Sequence, residues 1–154
     1  MTTPRPCAAA EALSVVGEKY SLLVLREIFF GVRRFDGIAR NTGAPRDVLT
    51  ARLRHLVDAE VITKVQYHER PPRFEYHLTD AGQELRPVLL LLTQWGDRHL
   101  VDRPPVVWEH HCGTDLEPVV SCRDCGEEIG PGQLTPRFAS PEWTAAGHLD
   151  VAGS

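Results

Sequence analysis

The feature that most constrains the fold is a sharp turn followed by a short amphipathic helix, in the stretch Thr42–Leu56. Gly43 and Pro45 favour a turn and a helix start, because glycine turns freely and proline pre-sets the backbone angle of a first helical residue. Leucines at positions 49, 53 and 56 recur at helical spacing and predict one buried stripe. The other face of this helix, which we expect over Pro45–Ala59, consists of Arg46, Asp47, Thr50, Ala51 and Arg54. That face suits the major groove of DNA, and an ordinary solvated helix face is the alternative.

Three helices precede the turn in the sequence pattern. Ala8–Gly17 and a strongly apolar segment from Ser21 to about Phe30 are predicted to be helical, with the Ser21 hydroxyl capping the second helix. A third, short helix is expected over Phe35–Asn41. Two helices joined by Asn-Thr-Gly-Ala-Pro, the second of them polar on its outer face, predict a helix-turn-helix.

Two alternating segments follow and predict a β-hairpin. Val61–Tyr67 and Arg73–Leu78 alternate apolar and polar residues, as half-buried strands do. Between them, His68–Pro72 forms a proline-stiffened tip with Arg70 and Arg73 at its edges. A hairpin directly after a recognition helix is the wing of a winged helix-turn-helix, and its tip would contact the DNA backbone or minor groove. A plain surface hairpin is the alternative.

A long helix is expected from Asp80 to Leu100, capped by Thr79 and either kinked or started late at Pro87. Its apolar positions are Leu85, Val88, Leu89, Leu92, Trp95 and Leu100. An apolar face this broad on a small domain favours packing against a second copy. A twofold dimer would present two recognition helices to DNA. The sequence also leaves room for a small-molecule effector at this interface, and it names no ligand.

Charge and composition narrow the class of function. The net charge is −4, but residues 1–79 hold twelve Lys and Arg against nine Asp and Glu, whereas residues 80–154 hold five against twelve. This asymmetry suggests that the first half meets a polyanion. The longest apolar run, Val88–Leu92, is too short to cross a bilayer, and the N-terminus lacks a signal-peptide pattern, so we expect a cytoplasmic protein without membrane contact. No phosphate-binding glycine loop or nucleophile motif occurs, so we do not expect an enzyme.

Beyond a linker at Asp102–Pro105, the sequence becomes rich in cysteine and histidine. Cys122 and Cys125 have the Cys-x-x-Cys-Gly spacing of a zinc knuckle, in which two thiolates approach one ion. Cys112 and one histidine of the pair at positions 110 and 111 complete a tetrahedral set, so a structural Zn²⁺ is expected.

In a small zinc ribbon of this kind, strands are expected at Val119–Val120 and Glu127–Pro131. A redox pair of Cys122 and Cys125 and unused cysteines are the alternatives to zinc. A structural disulfide is disfavoured in a reducing cytosol.

Taken together, several of these segments resemble the HxlR-type winged helix-turn-helix regulators. The resemblance covers about residues 7–100 and rests on Cys7, Val16–Tyr20, Gly31–Phe35 with Ile38, Leu49–Leu56, Pro71–Gly82 and Trp95–Gly96. The segment Pro-Pro-Arg-x-Glu-Tyr-x-Leu-Thr-x-x-Gly is a specific signature. It implies a homodimeric bacterial transcription regulator in which the first and last helices of the domain form the dimer interface.

The resemblance also implies roles for single residues. Some members respond to oxidants or electrophiles through a cysteine near the N-terminus, and Cys7 has that position, which makes it a candidate redox residue. Members with a similar His-x-Cys-Gly and Cys-x-x-Cys-Gly tail favour His110 over His111 as the ligand. The family usually has a serine where this chain has Pro45 and a glycine where it has Glu60, before the first wing strand.

We therefore predict an α+β fold, with a mainly helical winged helix-turn-helix and its two-stranded wing over residues 7–101. A zinc-ribbon-like extension is expected over residues 106–131, and a poorly ordered tail over 132–154 with an anchor at Phe138 or Trp143. The predicted function is regulation of transcription by a homodimer that binds double-stranded DNA sequence-specifically. A redox or electrophile sensor based on thiols or zinc, and a protein-interaction module, are the alternatives.

The predicted site residues fall into three sets. Base edges are assigned to Arg46, Asp47, Thr50, Ala51 and Arg54, and phosphates to Arg33, Arg34, Arg52, Arg70 and Arg73. The predicted metal ligands are His110, Cys112, Cys122 and Cys125.

Overall fold

The computed structural model describes residues 5–148, which fall into two compact units. The larger unit is Glu11–Pro118, and the smaller unit comprises, in the described part of the chain, residues 5–10 and 119–148. The predicted boundaries of 7–101, 106–131 and 132–154 divide the chain differently and stay a prediction.

The elements follow the order of a winged helix. The helices are α1 (Ala8–Val16), α2 (Lys19–Phe29), α3 (Phe35–Thr42), α4 (Arg46–Asp58), α5 (Asp80–Gln83) and α6 (Arg86–His99). Strands β1 (Ile62–Glu69) and β2 (Pro72–Leu78) pair antiparallel, with Ile62 opposite Leu78. A helix-turn-helix followed by this two-stranded sheet confirms the predicted α+β winged-helix fold. No helix in residues 5–148 combines the length and apolarity that a membrane span requires.

The core lies between α2, α3 and α4. Val24, Leu25 and Ile28 of α2 are buried, and they belong to one cluster with Ile38 of α3. The predicted stripe at positions 49, 53 and 56 of α4 is fully buried in the same cluster, which confirms the period read from the sequence. Burial of an aliphatic side chain of this size stabilises a fold by about 2 kcal/mol, so this stripe alone fixes α4 on the core.

The start of α2 differs from the prediction. Helix α1 ends at Val16, and the Gly17 amide donates to the Leu13 carbonyl oxygen at 2.8 Å. Only Gly17 and Glu18 separate the two helices, so α2 begins at Lys19, and Ser21 lies inside it. The prediction of Ser21 as the cap was therefore wrong. The Ser21 side chain is buried, and its hydroxyl has no hydrogen-bond partner among the described residues.

The predicted long helix over Asp80–Leu100 is divided into α5 and α6. Thr79 caps α5 as expected, because its hydroxyl oxygen accepts a hydrogen bond from the Gly82 amide at 3.0 Å. Helix α6 then starts at Arg86, which places Pro87 in its first turn. Proline is tolerated there because first-turn amides have no partner inside the helix. Of the two expected outcomes at Pro87, the structure adopts the late start.

The wing is longer than predicted. Both strands extend into the expected tip, so the connecting turn consists of Arg70 and Pro71 alone. Before β1, Glu60 adopts a left-handed backbone with φ of 57°. This is the position at which the resemblance expects glycine, and the backbone explains why, since a side chain disfavours that region.

The first part of the smaller unit, residues 119–131, differs from the predicted zinc ribbon in its strands. The predicted strands at Val119–Val120 and Glu127–Pro131 do not form; the structure has a single bridge between Ser121 and Glu128 instead. Backbone hydrogen bonds flank the bridge, from the Cys122 amide to the Glu127 carbonyl oxygen (2.9 Å) and from the Ile129 amide to the Val120 carbonyl oxygen (2.8 Å). The pairing stops at these two hydrogen bonds, because the chain turns within it at Gly126, which has a φ of 75°.

The tail contains a hairpin that the sequence did not predict, formed by β3 (Trp143–Thr144) and β4 (Gly147–His148). The Arg5 guanidinium lies over the rings of Phe138 and Trp143, at 5.5 and 5.9 Å from their centroids. It also donates to the carbonyl oxygens of Thr144 and Ala145, at 3.0 Å each. Both expected anchors are therefore used. Residues 149–154 of the predicted tail lie outside the described residues.

Candidate nucleic-acid interface

The turn between α3 and α4 is closed by local hydrogen bonds. Gly43 ends α3 in a left-handed conformation with φ of 65°, and its amide donates to the Ala39 carbonyl oxygen at 3.0 Å. The Thr42 hydroxyl donates to the Ile38 carbonyl oxygen at 2.7 Å and accepts from the Ala44 amide at 3.2 Å. Pro45 then precedes the helix without a side-chain cap. The turn therefore fixes the direction in which α4 leaves the core.

The outer face of α4 is open. The five residues assigned to base edges, Arg46, Asp47, Thr50, Ala51 and Arg54, are all exposed. The Thr50 hydroxyl donates its hydrogen to the Arg46 carbonyl oxygen at 2.7 Å, so Thr50 Oγ1 can still accept a hydrogen bond. With 13 residues, α4 is about 20 Å long, and a helix of this size fits the major groove.

Arg46 is held by α3 rather than free in solvent. Its Nη1 lies 2.9 Å from Asp36 Oδ1, and its guanidinium lies over the Phe35 ring at 4.7 Å from the centroid. Both partners of the ion pair are highly exposed, at 71% and 81% of their side-chain surface. An exposed pair is worth about 1 kcal/mol or less, so a phosphate or a base can displace Asp36.

Arg34 links the loop before α3 to the wing. Its Nε donates to Glu75 Oε1 at 3.1 Å, and its guanidinium lies over the Tyr67 ring at 4.5 Å from the centroid. The Tyr76 amide also donates to the Arg33 carbonyl oxygen at 2.9 Å. The predicted phosphate contact Arg34 is thus engaged in positioning the wing, while Arg33 keeps an exposed side chain.

These side chains border a groove between the helix-turn-helix and the wing, with a volume of about 1020 Å³. Six basic residues line this basic groove: Arg33, Arg34, Arg40, Arg46, Lys64 and Arg73. Two acidic residues, Asp36 and Glu75, oppose them. The structure therefore gathers in one place an excess of positive charge that the sequence distributes over about forty positions.

A smaller depression of about 290 Å³ is lined by Thr50, Arg54 and Lys64. Because Lys64 borders both depressions, the outer face of α4 and the basic groove adjoin. The predicted contacts Asp47, Ala51, Arg52 and Arg70 line neither depression, and Arg52 is half-buried.

Sequence reasoning missed Arg40 and Lys64. Lys64 lies on β1 opposite Tyr76, and its ammonium lies over the Phe74 ring at 4.1 Å from the centroid. The alternation of β1 placed Lys64 on the polar face, which was the available signal.

A buried carboxylate on α2 holds the end of α3 by a hydrogen bond. Glu27 of α2 is 4% exposed, and its Oε1 accepts hydrogen bonds from Arg26 Nε and Nη2 at 2.9 and 2.7 Å. Its Oε2 accepts from Asn41 Nδ2 at 2.8 Å. These bonds tie the last turn of α3 to α2, directly before the turn into α4.

Two of the predicted metal ligands, His110 and Cys112, lie in one turn of the larger unit. The Gly113 amide donates to the His110 carbonyl oxygen at 2.8 Å, and His110 Nδ1 lies 3.1 Å from Cys112 Sγ. Hydrogen bonds with the Thr114 hydroxyl and then with His110 lower the pKa of the Cys112 thiol to about 7. The thiolate is the form that binds metals, so this turn offers a nitrogen and a sulfur donor.

The other two, Cys122 and Cys125, lie in a turn of the smaller unit. The Gly126 amide donates to the Cys122 carbonyl oxygen at 2.7 Å, and Gly126 has a φ of 75°. Hydrogen bonds from the backbone of Cys125 and Asp124 lower the pKa of the Cys122 thiol. Each turn thus supplies a pair of donors that fits Zn²⁺; within residues 5–148 no group of three or more His, Cys, Asp or Glu side chains is assembled for a metal.

The profile of the HxlR-like helix-turn-helix family matches residues 15–104. The HTH-type transcriptional regulator Rv3095 of Mycobacterium tuberculosis is 46% identical over 132 residues, which cover 84% of each chain.

Among solved structures, the chain is similar to PA1607, "a Putative Transcription Factor", with a TM-score of 0.77 and 30% sequence identity. The match covers 86% of this chain and 95% of PA1607. The redox regulator HypR in its reduced form has a TM-score of 0.53 at 29% identity and covers 61% of this chain and 96% of its own. The family consists of transcription regulators rather than enzymes. With more than half of its length matched by the profile, the chain belongs to the HxlR-like helix-turn-helix family of transcriptional regulators.

Proposed function

We propose that this protein binds specific double-stranded DNA sequences as a homodimer, with α4 in the major groove and the wing on the backbone or minor groove. The observation that carries this proposal is the continuous surface formed by the outer face of α4 and the basic groove. A polar helix face about 20 Å long beside six basic side chains matches the division between base reading and phosphate binding.

The roles of the basic residues follow from their surroundings. Arg54 and Thr50 on α4 are exposed and can reach base edges. Arg33, Arg73 and Lys64 in the basic groove face the phosphates, as does Arg70 at the turn of the wing. Arg34 contributes charge, and its bond to Glu75 sets the angle of the wing.

The test is a salt titration of DNA binding by Arg54→Ala and Arg73→Ala, with Arg98→Ala on α6 as the control. Loss of Arg54 should change the preferred base at one position of each half-site, at a cost of about 1–3 kcal/mol. Loss of Arg73 should weaken binding to all sequences alike and lower the salt slope by about one. The proposal fails if both variants bind like the wild type.

Dimerisation is proposed through α6. None of its residues is buried in the chain, and Val88, Leu92 and Trp95 are exposed along one stripe. Leu13 of α1 is exposed as well. Covering such a stripe with a second copy removes it from water and pairs two α4 helices, as twofold operators require.

A structural Zn²⁺ is also proposed, held by His110, Cys112, Cys122 and Cys125. The paired donors in each turn and the lowered pKa values of Cys112 and Cys122 support it. When bound, the ion would be structural and would supply no reaction. Metal analysis of the purified chain should find about one zinc per chain. Cys122→Ser and His110→Ala should lose it and His111→Ala should keep it; a zinc-free wild type grown with zinc contradicts the proposal.

A second candidate function is a redox-responsive form of the same regulator. It is favoured by the exposed thiol of Cys7 and by the similarity to HypR. DNA affinity and zinc content measured before and after mild oxidation, in the wild type and in Cys7→Ser, distinguish the cases. A response abolished by Cys7→Ser assigns sensing to Cys7, whereas zinc release with lost DNA binding assigns it to the metal turns. Unchanged binding eliminates sensing.

A further inference from the structure

The larger unit contains a mostly apolar cavity of about 790 Å³ that the DNA-binding proposal does not use. It lies between α2, the first half of α6 and the segment 105–116. Phe29 at the end of α2 and Phe30 directly after it line one wall, and Trp108 lines the other from the segment 105–116. The rings of Phe30 and Trp108 are stacked, with centroids 5.2 Å apart and planes 7° from parallel. Its volume and apolar lining are those of small-molecule sites, which measure about 300–1,000 Å³.

The wall formed by the segment 105–116 is held in place. The Leu116 amide donates to the Trp108 carbonyl oxygen at 2.6 Å, and the His110 amide donates to the Thr114 carbonyl oxygen at 2.9 Å. Gln94 Nε2 of α6 donates to the Pro118 carbonyl oxygen at 3.2 Å, just beyond the segment. A cavity whose walls are fixed before binding loses less entropy when a ligand enters.

The charged groups of the cavity differ in their partners. Glu27 is satisfied by Arg26 and Asn41, as described above. Arg86 is half-buried with its guanidinium over the Phe29 ring, at 4.6 Å from the centroid, and this side chain has no hydrogen bond or ion pair with any other residue in 5–148. The acidic group on the opposite wall, Glu109, is exposed. The cavity therefore offers aromatic surface and one cation without an anion.

We propose that this cavity binds a flat aromatic molecule that carries one carboxylate. The ring system would pack against Phe29, Phe30 and Trp108, and the carboxylate would accept hydrogen bonds from Arg86. Stacking supplies contact area for a planar ring, and a guanidinium matches the two oxygens of a carboxylate.

The site is not contained within the part of the chain that the family profile matches. The segment that carries Trp108 follows the family match, which ends at residue 104. Asn41 of α3 also lines the cavity and donates a hydrogen bond to Glu27. A bound ligand would therefore lie next to the hydrogen bonds that hold α3 of the helix-turn-helix on α2. An effect of the ligand on DNA binding rests on the proposed function, whereas ligand binding itself does not.

The test is titration calorimetry of the full chain, without DNA, with 2-naphthoate and with its neutral analogue 2-naphthalenemethanol. The wild type should bind 2-naphthoate with a dissociation constant of about 0.01–1 mM, the range expected for so small a ligand, and about tenfold more tightly than the alcohol. Arg86→Gln should abolish this preference for the acid. Arg98→Gln, the same change on the same helix outside the cavity lining, should keep it.

The comparison of acid and alcohol on the wild type needs no variant, so the proposal can be overturned even if Arg86→Gln does not fold. Absent binding of 2-naphthoate, equal affinities for acid and alcohol, or an unchanged preference in Arg86→Gln would each overturn it. Because DNA is absent from the experiment, a failure here is distinct from a failure of the DNA-binding proposal.

Discussion

Helices α4 and α6 have nearly the same length, but they complete their packing differently. On α4, the stripe of Leu49, Leu53 and Leu56 is at most 1% exposed, and the polar face is open. On α6, no residue is buried, and Val88, Leu92 and Trp95 are 48–54% exposed. Helix α4 completes its apolar packing within one chain and leaves a polar face open, whereas α6 leaves an apolar stripe exposed in the described residues. Under the proposed function, DNA would cover the first face and a second copy of the chain would cover the second.

The largest expected effect compares one leucine from each helix. Leu53→Ala should lower the free energy of unfolding by about 3 kcal/mol, because it leaves a cavity in a closed core. This loss should not depend on protein concentration. Leu92→Ala should cost less and only in proportion to the dimer present, so its effect should vary with concentration. Denaturant unfolding at two concentrations measures both, and identical behaviour of the two variants would remove the distinction between the helices.

The next effect concerns the dimer alone. Leu92→Glu should raise the dimer dissociation constant about 30-fold or more, since a charge in an apolar interface lacks a partner. Leu134→Glu makes the same change at another exposed leucine, in the smaller unit, and should leave the constant unchanged. Analytical ultracentrifugation reads out both. A dimer that tolerates Leu92→Glu would place the interface elsewhere.

A smaller effect is expected at the junction of α4 and β1. Glu60 holds a φ of 57°, where glycine has no steric penalty, so Glu60→Gly should stabilise the fold by about 1 kcal/mol. The dimer dissociation constant and the preferred DNA sequence should not change. Glu60→Ala, which keeps the β-carbon, should give no such gain. A loss of stability in Glu60→Gly would show that the side chain itself contributes there.

The smallest effect concerns the ion pair on α4. Asp36→Asn should strengthen DNA binding a few-fold, about 0.5 kcal/mol, because it releases Arg46 from an exposed pair. Asp58→Asn removes the same charge at the C-terminal end of α4. Asp58 forms no ion pair within residues 5–148, so this variant should strengthen DNA binding less. A filter-binding assay at low salt is sensitive enough. Equal gains from both variants would mean that only the net charge matters.

The parts of the fold that the sequence predicted are those encoded by local periodicity. The buried stripe of α4, the alternation of β1 and β2, and the Thr79 cap all depend on residues within a few positions of each other. Ser21 shows where this fails, because a serine near a helix start serves equally as a cap or as a buried interior residue. Here the link between α1 and α2 is so short that α2 already begins at Lys19, which places Ser21 inside the helix.

The parts that the sequence did not predict depend on distant pairs. Arg34 meets Glu75 across 41 positions, and Phe30 meets Trp108 across the whole domain. A guanidinium bound to a carboxylate and a free one look alike in a sequence, which is why Arg34 was grouped with Arg33. The zinc ligands and the individual DNA contacts stay predictions for a different reason, because each of them depends on a metal ion or a DNA molecule outside the chain.

Under the proposed function, the two α4 helices of a dimer bind one DNA duplex together. Selection of bound sequences from a random pool by the purified wild type, followed by measurement of protein per duplex, tests it most directly. We expect an inverted repeat whose half-sites are centred about 10 base pairs apart, with two chains on each duplex. Enrichment of a single unrepeated site bound by one chain, or no enrichment at all, would contradict the account.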